Sequence, residues 1–311
     1  MDNNMTHSAL PPLLKFENIA RIYGSAFHGI SLSTAVAVSI LSPLAVVANG
    51  LILAAIWRNQ SLRNPSYVLL AGLALTDLGT GLISQPMYVT NELIYLLKPR
   101  GSVVVTYAMV DGCVTLFSHS TAFIMTVMSI ERWLHMARRS LINVRRAFII
   151  VVSLFLLPIP VTVYRVLQRL KRAPTPVVDV ISSSLVPFLL TVSSVAYLKV
   201  FRIIRRHQQQ IQANGMSQNF AQPAINFTKY KKSVFSILYI LVVFYMGYVP
   251  VAISMRISTV LINEQVVLSI NFSFLFMFLS ASLNPLLYLW RMKDIRNEVK
   301  LLIKRILHKE N

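Results

Sequence analysis

Asn284-Pro285-Leu286-Leu287-Tyr288 closes the last of seven apolar runs in this chain, and its reading decides the fold. An amide and a phenol at the end of an apolar stretch are costly in lipid, so they imply a protein interior that receives them. A second marker, Glu131-Arg132-Trp133, closes the third run, and a lone Asp77 interrupts the second. Working outward, runs near the about 20 residues a helix needs to cross a bilayer are found seven times. They cover Ile30–Trp57, Ser66–Asn91, Ser102–Ile130, Ala147–Tyr164, Val180–Leu198, Ser233–Met255 and Gln265–Trp290. Asp77 and Asp111 are the only acidic or basic side chains of these stretches other than histidine, and the fourth is short. The expected fold is an all-α membrane protein, a seven-transmembrane helix bundle.

Composition agrees. The 311 residues are 55% hydrophobic and 13% charged, with a mean hydropathy of +0.60. A soluble domain carries about 25% charged residues, so the bilayer is the expected solvent. The formal charge of +19 would point a soluble protein toward nucleic acid. Here the cations lie between the apolar runs, so membrane lipids and topology explain them and no nucleic-acid partner is expected. Cys113 is the sole cysteine, which excludes an intramolecular disulfide and reads as a packing residue.

Seven spans put the two termini on opposite faces. Of the 30 lysines and arginines, 21 fall in the tail and in the gaps after spans one, three and five. The positive-inside rule then sets the N-terminus outside and the C-terminus inside. The gap after span four (Arg165, Arg169, Lys171, Arg172) runs against this bias. Residues 1–29 form an extracellular arm with no evident cleaved leader, residues 30–290 the seven-span bundle, and residues 291–311 the cytoplasmic end. Asn4-Met5-Thr6 is a glycosylation sequon on the outer side; Asn59-Gln60-Ser61 and Asn226-Phe227-Thr228 fall inside and read as chance. Gln208 to Asn226 reads as a flexible connector. In the tail, Met292, Ile295, Val299, Leu302 and Ile306 recur every three or four residues among Lys293, Arg296, Lys300, Lys304 and Arg305. That is an amphipathic helix on the inner leaflet.

The polar groups in the spans carry the functional reading. A carboxylate at mid-bilayer costs about 2.5–3.5 kcal/mol on insertion scales. Asp77 has candidate partners in Asn49, Thr121, Ser280 and Asn284. This oxygen set suits a hard cation such as sodium, or a water-bridged structural network. Glu131-Arg132, where the third span meets the cytoplasm, can pair internally in one state and release the guanidinium to a partner in another. A snorkelling interfacial arginine is the plainer alternative.

Together these motifs resemble the rhodopsin-like (class A) G-protein-coupled receptors over nearly the whole chain. Ala48-Asn49-Gly50 is similar to the first-helix signature and Leu73-Ala74-Leu75-Thr76-Asp77 to the second. Glu131-Arg132-Trp133 resembles the third with Trp in place of Tyr, and Tyr197 the fifth-helix tyrosine. Phe244 and Pro250 match the sixth, and Asn284-Pro285-Leu286-Leu287-Tyr288 the seventh. The resemblance implies an outward swing of the sixth helix on agonist binding, opening a cleft for a heterotrimeric G protein. Arg132, Tyr197 and Tyr288 would rearrange together. It also implies residence at the plasma membrane.

The chain departs from the family in several places. Tyr107 stands where the family has the cysteine that pins an outer loop, and Tyr248 where it has a tryptophan on the pocket floor. Span four has no tryptophan, and Pro187 lies two residues early relative to Tyr197. Lys229, Tyr230, Lys231 and Lys232 occupy the foot of the sixth helix, where an acid often holds the third-helix arginine. A weak inactive-state lock and appreciable basal signalling are expected from that. The missing disulfide is similar to the condition of melanocortin, lysophospholipid and cannabinoid receptors. Tyr197–Arg206 and Tyr288-Leu289-Trp290-Arg291 resemble adenosine receptors somewhat.

Counting outward from Arg132 by helical turns, Ser118, Thr115, Val114 and Asp111 face the expected ligand pocket. Val114 stands where amine receptors carry aspartate, so a monoamine is not expected. Asp111 reads equally as an anchor for a basic ligand group and as an internal partner for Arg100 or Arg169. Tyr248, Val251, Met255, Phe274 and Phe278 add an aromatic and apolar lining. A lipidic, peptide or nucleoside-like ligand suits it. No zinc-protease, intramembrane aspartyl or phosphate-loop motif is present, so no enzyme is expected. A channel or carrier lined by Asp77 and Asp111 is the alternative class. Apart from sodium, no cofactor is expected. Residues 291–311 hold no Ser, Thr or Cys, so arrestin recruitment would use Ser140, Ser217, Thr228, Ser233 or the receptor core.

Overall fold

A computed structural model describes residues 24–97, 103–137, 142–171, 176–214, 224–261 and 264–307. Asn4, Arg100, Ser140, Arg172 and Ser217 lie outside these, as do the side chains of residues 224–237. Seven of the described helices are long and apolar enough to cross a bilayer, and no strand occurs among the described residues.

Span one is a single helix, Gly24–Arg58, and begins inside the stretch read from the sequence as the arm. Asn59 and Asn64 make the turn to span two. Asn64 accepts a hydrogen bond from the Tyr67 amide, and Pro65 takes the first helical position, where no amide donor is needed. Span two runs Pro65–Gly79, then through a π-helical turn at Thr80–Ser84, then Gln85–Leu97. It therefore continues past Asn91, where its apolar run ends. Span three is Val103–Met136, so Glu131-Arg132-Trp133 lies within its last turns. Asn143 caps span four, which comprises Val144–Leu156 and, beyond Leu157-Pro158, Ile159–Lys171. Arg165 and Arg169 are thus helical residues, a correction to the reading that left them in a loop. Span five is Pro176–Asn214, span six Ala224–Val260 and span seven Glu264–Arg291.

Burial ranks the spans. The apolar window of span three is 67% buried within the protein and that of span four 11%, so span three is the axis of the bundle and span four its rim. Spans one and seven are joined by Ser282 Oγ donating to the Leu41 carbonyl at 3.1 Å. Spans six and seven approach closely at Gly247, where a Cβ would stand 2.9 Å from Ser280 Oγ. The amphipathic tail helix is Lys293–Leu307. Ile295 and Val299 are buried, while Tyr67 donates to Asp294 at 3.3 Å and Asn59 to Glu298 at 2.7 Å. That docks the tail beneath spans one and two. Ile306, placed on the apolar face by its spacing, is exposed. The Asn59 bond also occupies the amide that a glycan on the second sequon would need.

Candidate functional site

Three layers of polar side chains lie along the bundle axis. In the middle layer Asp77 is 1% exposed and accepts from Asn284 Nδ2 at 2.8 Å. Asn49 Nδ2 donates to the Ala45 and Ala281 carbonyls at 2.9 and 3.2 Å, joining spans one and seven beside it. The amide oxygens of Asn49 and Asn284 are buried with no partner among the described residues. Thr121 donates to Thr76 at 2.9 Å and Ser280 to the Met277 carbonyl at 2.7 Å, each spending its proton and keeping oxygen lone pairs. One carboxylate with amide and hydroxyl oxygens fits a singly charged hard cation. Tyr248 faces Thr121, and Phe244 stacks on its ring at a centroid distance of 3.9 Å.

In the layer at the C-terminal end of span three Arg132 is 7% exposed, with Nε 3.7 Å from Glu131 Oε2. Ser66 donates to the other Glu131 oxygen at 3.0 Å, tying span two to span three. Tyr197 is buried against Ser129 and near the charges of Glu131 and Arg132. The Tyr288 hydroxyl is buried without a partner among the described residues. Pro250 and Pro285 sit inside their helices. Lys199 lies 4.1 Å over the Trp133 ring, a contact that nothing in the sequence pattern signals.

In the third layer, toward the N-terminal end of span three, Val114, Thr115 and Ser118 are buried, with Tyr248, Phe274 and Phe278 buried on the facing spans. Val251 and Met255 are half-buried against the same core. Asp111 lies apart in an ion-paired cluster. Arg165 donates to both its oxygens at 2.9 and 3.2 Å, and Arg169 to one at 3.1 Å. Arg165 also donates to Ser182 at 2.9 Å, and the Arg169 guanidinium lies 5.8 Å over the ring of Tyr107. Of the two readings the sequence left open, the geometry gives Asp111 internal partners, with Arg165 an addition. His119 belongs to this cluster and was not foreseen. Its Nδ1 is 2.7 Å from the Thr115 carbonyl and its Nε2 3.2 Å from that of Ser182. A histidine facing two carbonyls ties spans three and five, but one ring nitrogen in a run carries too little signal to be singled out beforehand. Glu92 was missed because it lies one residue past the apolar run; it is buried on span two.

Both carboxylates offered for a channel or carrier path are engaged within the protein, Asp111 by two guanidiniums and Asp77 by Asn284. A family model described as "7 transmembrane receptor (rhodopsin family)" matches residues 48–288. No curated protein sequence matches the chain.

Proposed function

Because this chain belongs to the rhodopsin family of seven-transmembrane receptors, we propose that it binds an extracellular ligand among its outer half-spans and activates a heterotrimeric G protein. The family signals through G proteins and is in general not enzymatic, and the chain is a multi-pass membrane protein. Residence at the plasma membrane with the N-terminus outside is our reading of its charge bias. The ligand is lipidic, peptide or nucleoside-like and not a monoamine, given Val114 and the aromatic lining of Tyr248, Phe274 and Phe278.

The buried Glu131–Arg132 pair carries the reading. A guanidinium 3.7 Å from its neighbour's carboxylate is held less tightly than a bidentate pair at hydrogen-bond distance, so little must be broken to free it. Ligand pressure on Tyr248 passes to the stacked Phe244 and bends span six about Pro250. The inner end of span six moves outward, Arg132 leaves Glu131, and Tyr197 and Tyr288 close behind it. Sodium, where bound, supplies one positive charge to Asp77, with Thr121, Ser280 and Asn284 as its other donors. No acidic residue lies among Lys229 to Lys232 to restrain Arg132 from span six, which favours basal signalling. Residues 291–311 offer no hydroxyl for phosphorylation, so arrestin would engage inner-loop sites or the core.

The test is second-messenger output in cells expressing the full chain and Arg132→Ala at matched surface level. We expect basal cyclic AMP or calcium to differ from an empty vector and the difference to vanish in the variant. Basal output equal to the vector for both messengers would refute the weak lock. A difference that persists in Arg132→Ala would refute the role of Arg132.

A further inference from the structure

Two carboxylates are buried in the outer half of the bundle, in contrasting surroundings. Asp111 is held by Arg165 and Arg169. Glu92, 7% exposed on span two, makes no ion pair among the described residues; beside it are the Ser31 hydroxyl and the Asn91 side chain. Asn91 itself accepts from Thr106 at 2.9 Å. One turn inward Tyr88 donates to Asn271 Oδ1 at 3.0 Å, and its ring packs 5.8 Å from Phe274 and 5.3 Å from Phe278. A further turn inward Gln85, fully buried, gives its Nε2 to the Phe278 carbonyl at 3.2 Å, while its Oε1 has no partner among the described residues. Positions 85, 88 and 92 are three and four apart, so they share one face of span two. That face offers a carboxylate, an orphaned amide oxygen and aromatic rings, and no cation among the described residues.

We propose that this face, at the junction of spans one, two and seven, receives the cationic group of the extracellular ligand, an ammonium or guanidinium, with Glu92 as counter-charge. The inference deepens the receptor reading above and rests on it. A buried carboxylate without a cation is disfavoured, and an incoming N–H-bearing cation relieves that cost by donating to Glu92. Rings at the base of the site favour the same charge through their π faces. Asp111 is unsuited to this part, because a ligand cation there would have to displace two guanidiniums. The site adjoins Phe274 and Phe278, so a ligand anchored at Glu92 reaches the apolar lining with the rest of its body.

The experiment is thermal unfolding of the purified full chain in lipid nanodiscs, which needs neither a G protein nor the native agonist. The probes are benzylguanidinium and the uncharged benzylurea, on wild type, Glu92→Gln and Glu92→Asp. At ten times its Kd, benzylguanidinium should raise Tm by about 3–6 °C in wild type and leave Glu92→Gln unmoved. Glu92→Asp should retain part of the rise, and benzylurea should produce none. No rise in wild type, an equal rise in Glu92→Gln, or an equal rise with benzylurea would each overturn the proposal. The benzylurea comparison uses wild type alone and decides the matter even if a variant does not fold. Because the readout is binding, failure here leaves G-protein coupling standing, and loss of coupling in Arg132→Ala leaves this site standing.

Discussion

Asp77 shows how much a single residue discloses through its sequence context alone. A carboxylate in an apolar run must be received by something, and its bond at 2.8 Å from Asn284 involves a residue whose polarity and spacing already group it with Asp77. Its oxygen-rich surroundings lead to a prediction at this scale. Replacing choline chloride with sodium chloride at constant ionic strength should raise the Tm of the wild-type chain and leave that of Asp77→Asn unchanged. Equal sodium responses in the two proteins would mean that the network is held by water alone. Glu92 was illegible by the same logic. A charge just beyond an apolar run is read as the end of the span, and nothing in the local sequence says that the helix continues to Leu97 and turns position 92 inward.

Among elements, the outer ends of spans three, four and five are joined without a covalent bond. Asp111, Arg165, Arg169, Ser182 and His119 form that joint, and Tyr107, at the position of the family's cysteine, takes the Arg169 guanidinium on its ring. Removing one member of a buried ion pair leaves the other charges uncompensated, at a cost of about 3–5 kcal/mol. Asp111→Ala should therefore lower the melting temperature clearly, while a change at lipid-exposed Phe188 should not. A melting curve superposable on wild type would show that the joint carries no load. Paired cysteines would have announced such a joint from the sequence. Arginines on a helical extension past the apolar count do not, because their fate depends on whether Pro158 ends the helix or merely interrupts it.

For the whole molecule, the seven spans and the tail helix were legible from hydropathy and spacing, the spans because lipid forbids unsatisfied backbone, while the docking of the tail through Asp294 and Glu298 was not. The bias of 21 of 30 cations sets the orientation we propose, and it yields a prediction of its own. Cell-expressed protein should lose a glycan on treatment with an N-glycosidase, and Asn4→Gln should already lack it. A glycosidase-insensitive wild type would count against an outside N-terminus. Thr80–Ser84 bears on how the two halves of the bundle correspond. A π turn closes its hydrogen bonds over one residue more than an α turn, so it absorbs an extra residue while the faces on either side keep their direction. Deleting one residue within 80–84 would let the turn tighten to α and leave Tyr88 and Glu92 pointing as they do. The same deletion between 86 and 90 would rotate the outer end of span two by about 100° and carry Glu92 toward lipid. Any alignment of this chain with a receptor whose second helix is regular therefore needs its gap inside that turn, and positions counted outward from Asp77 without it will be matched one residue out of step.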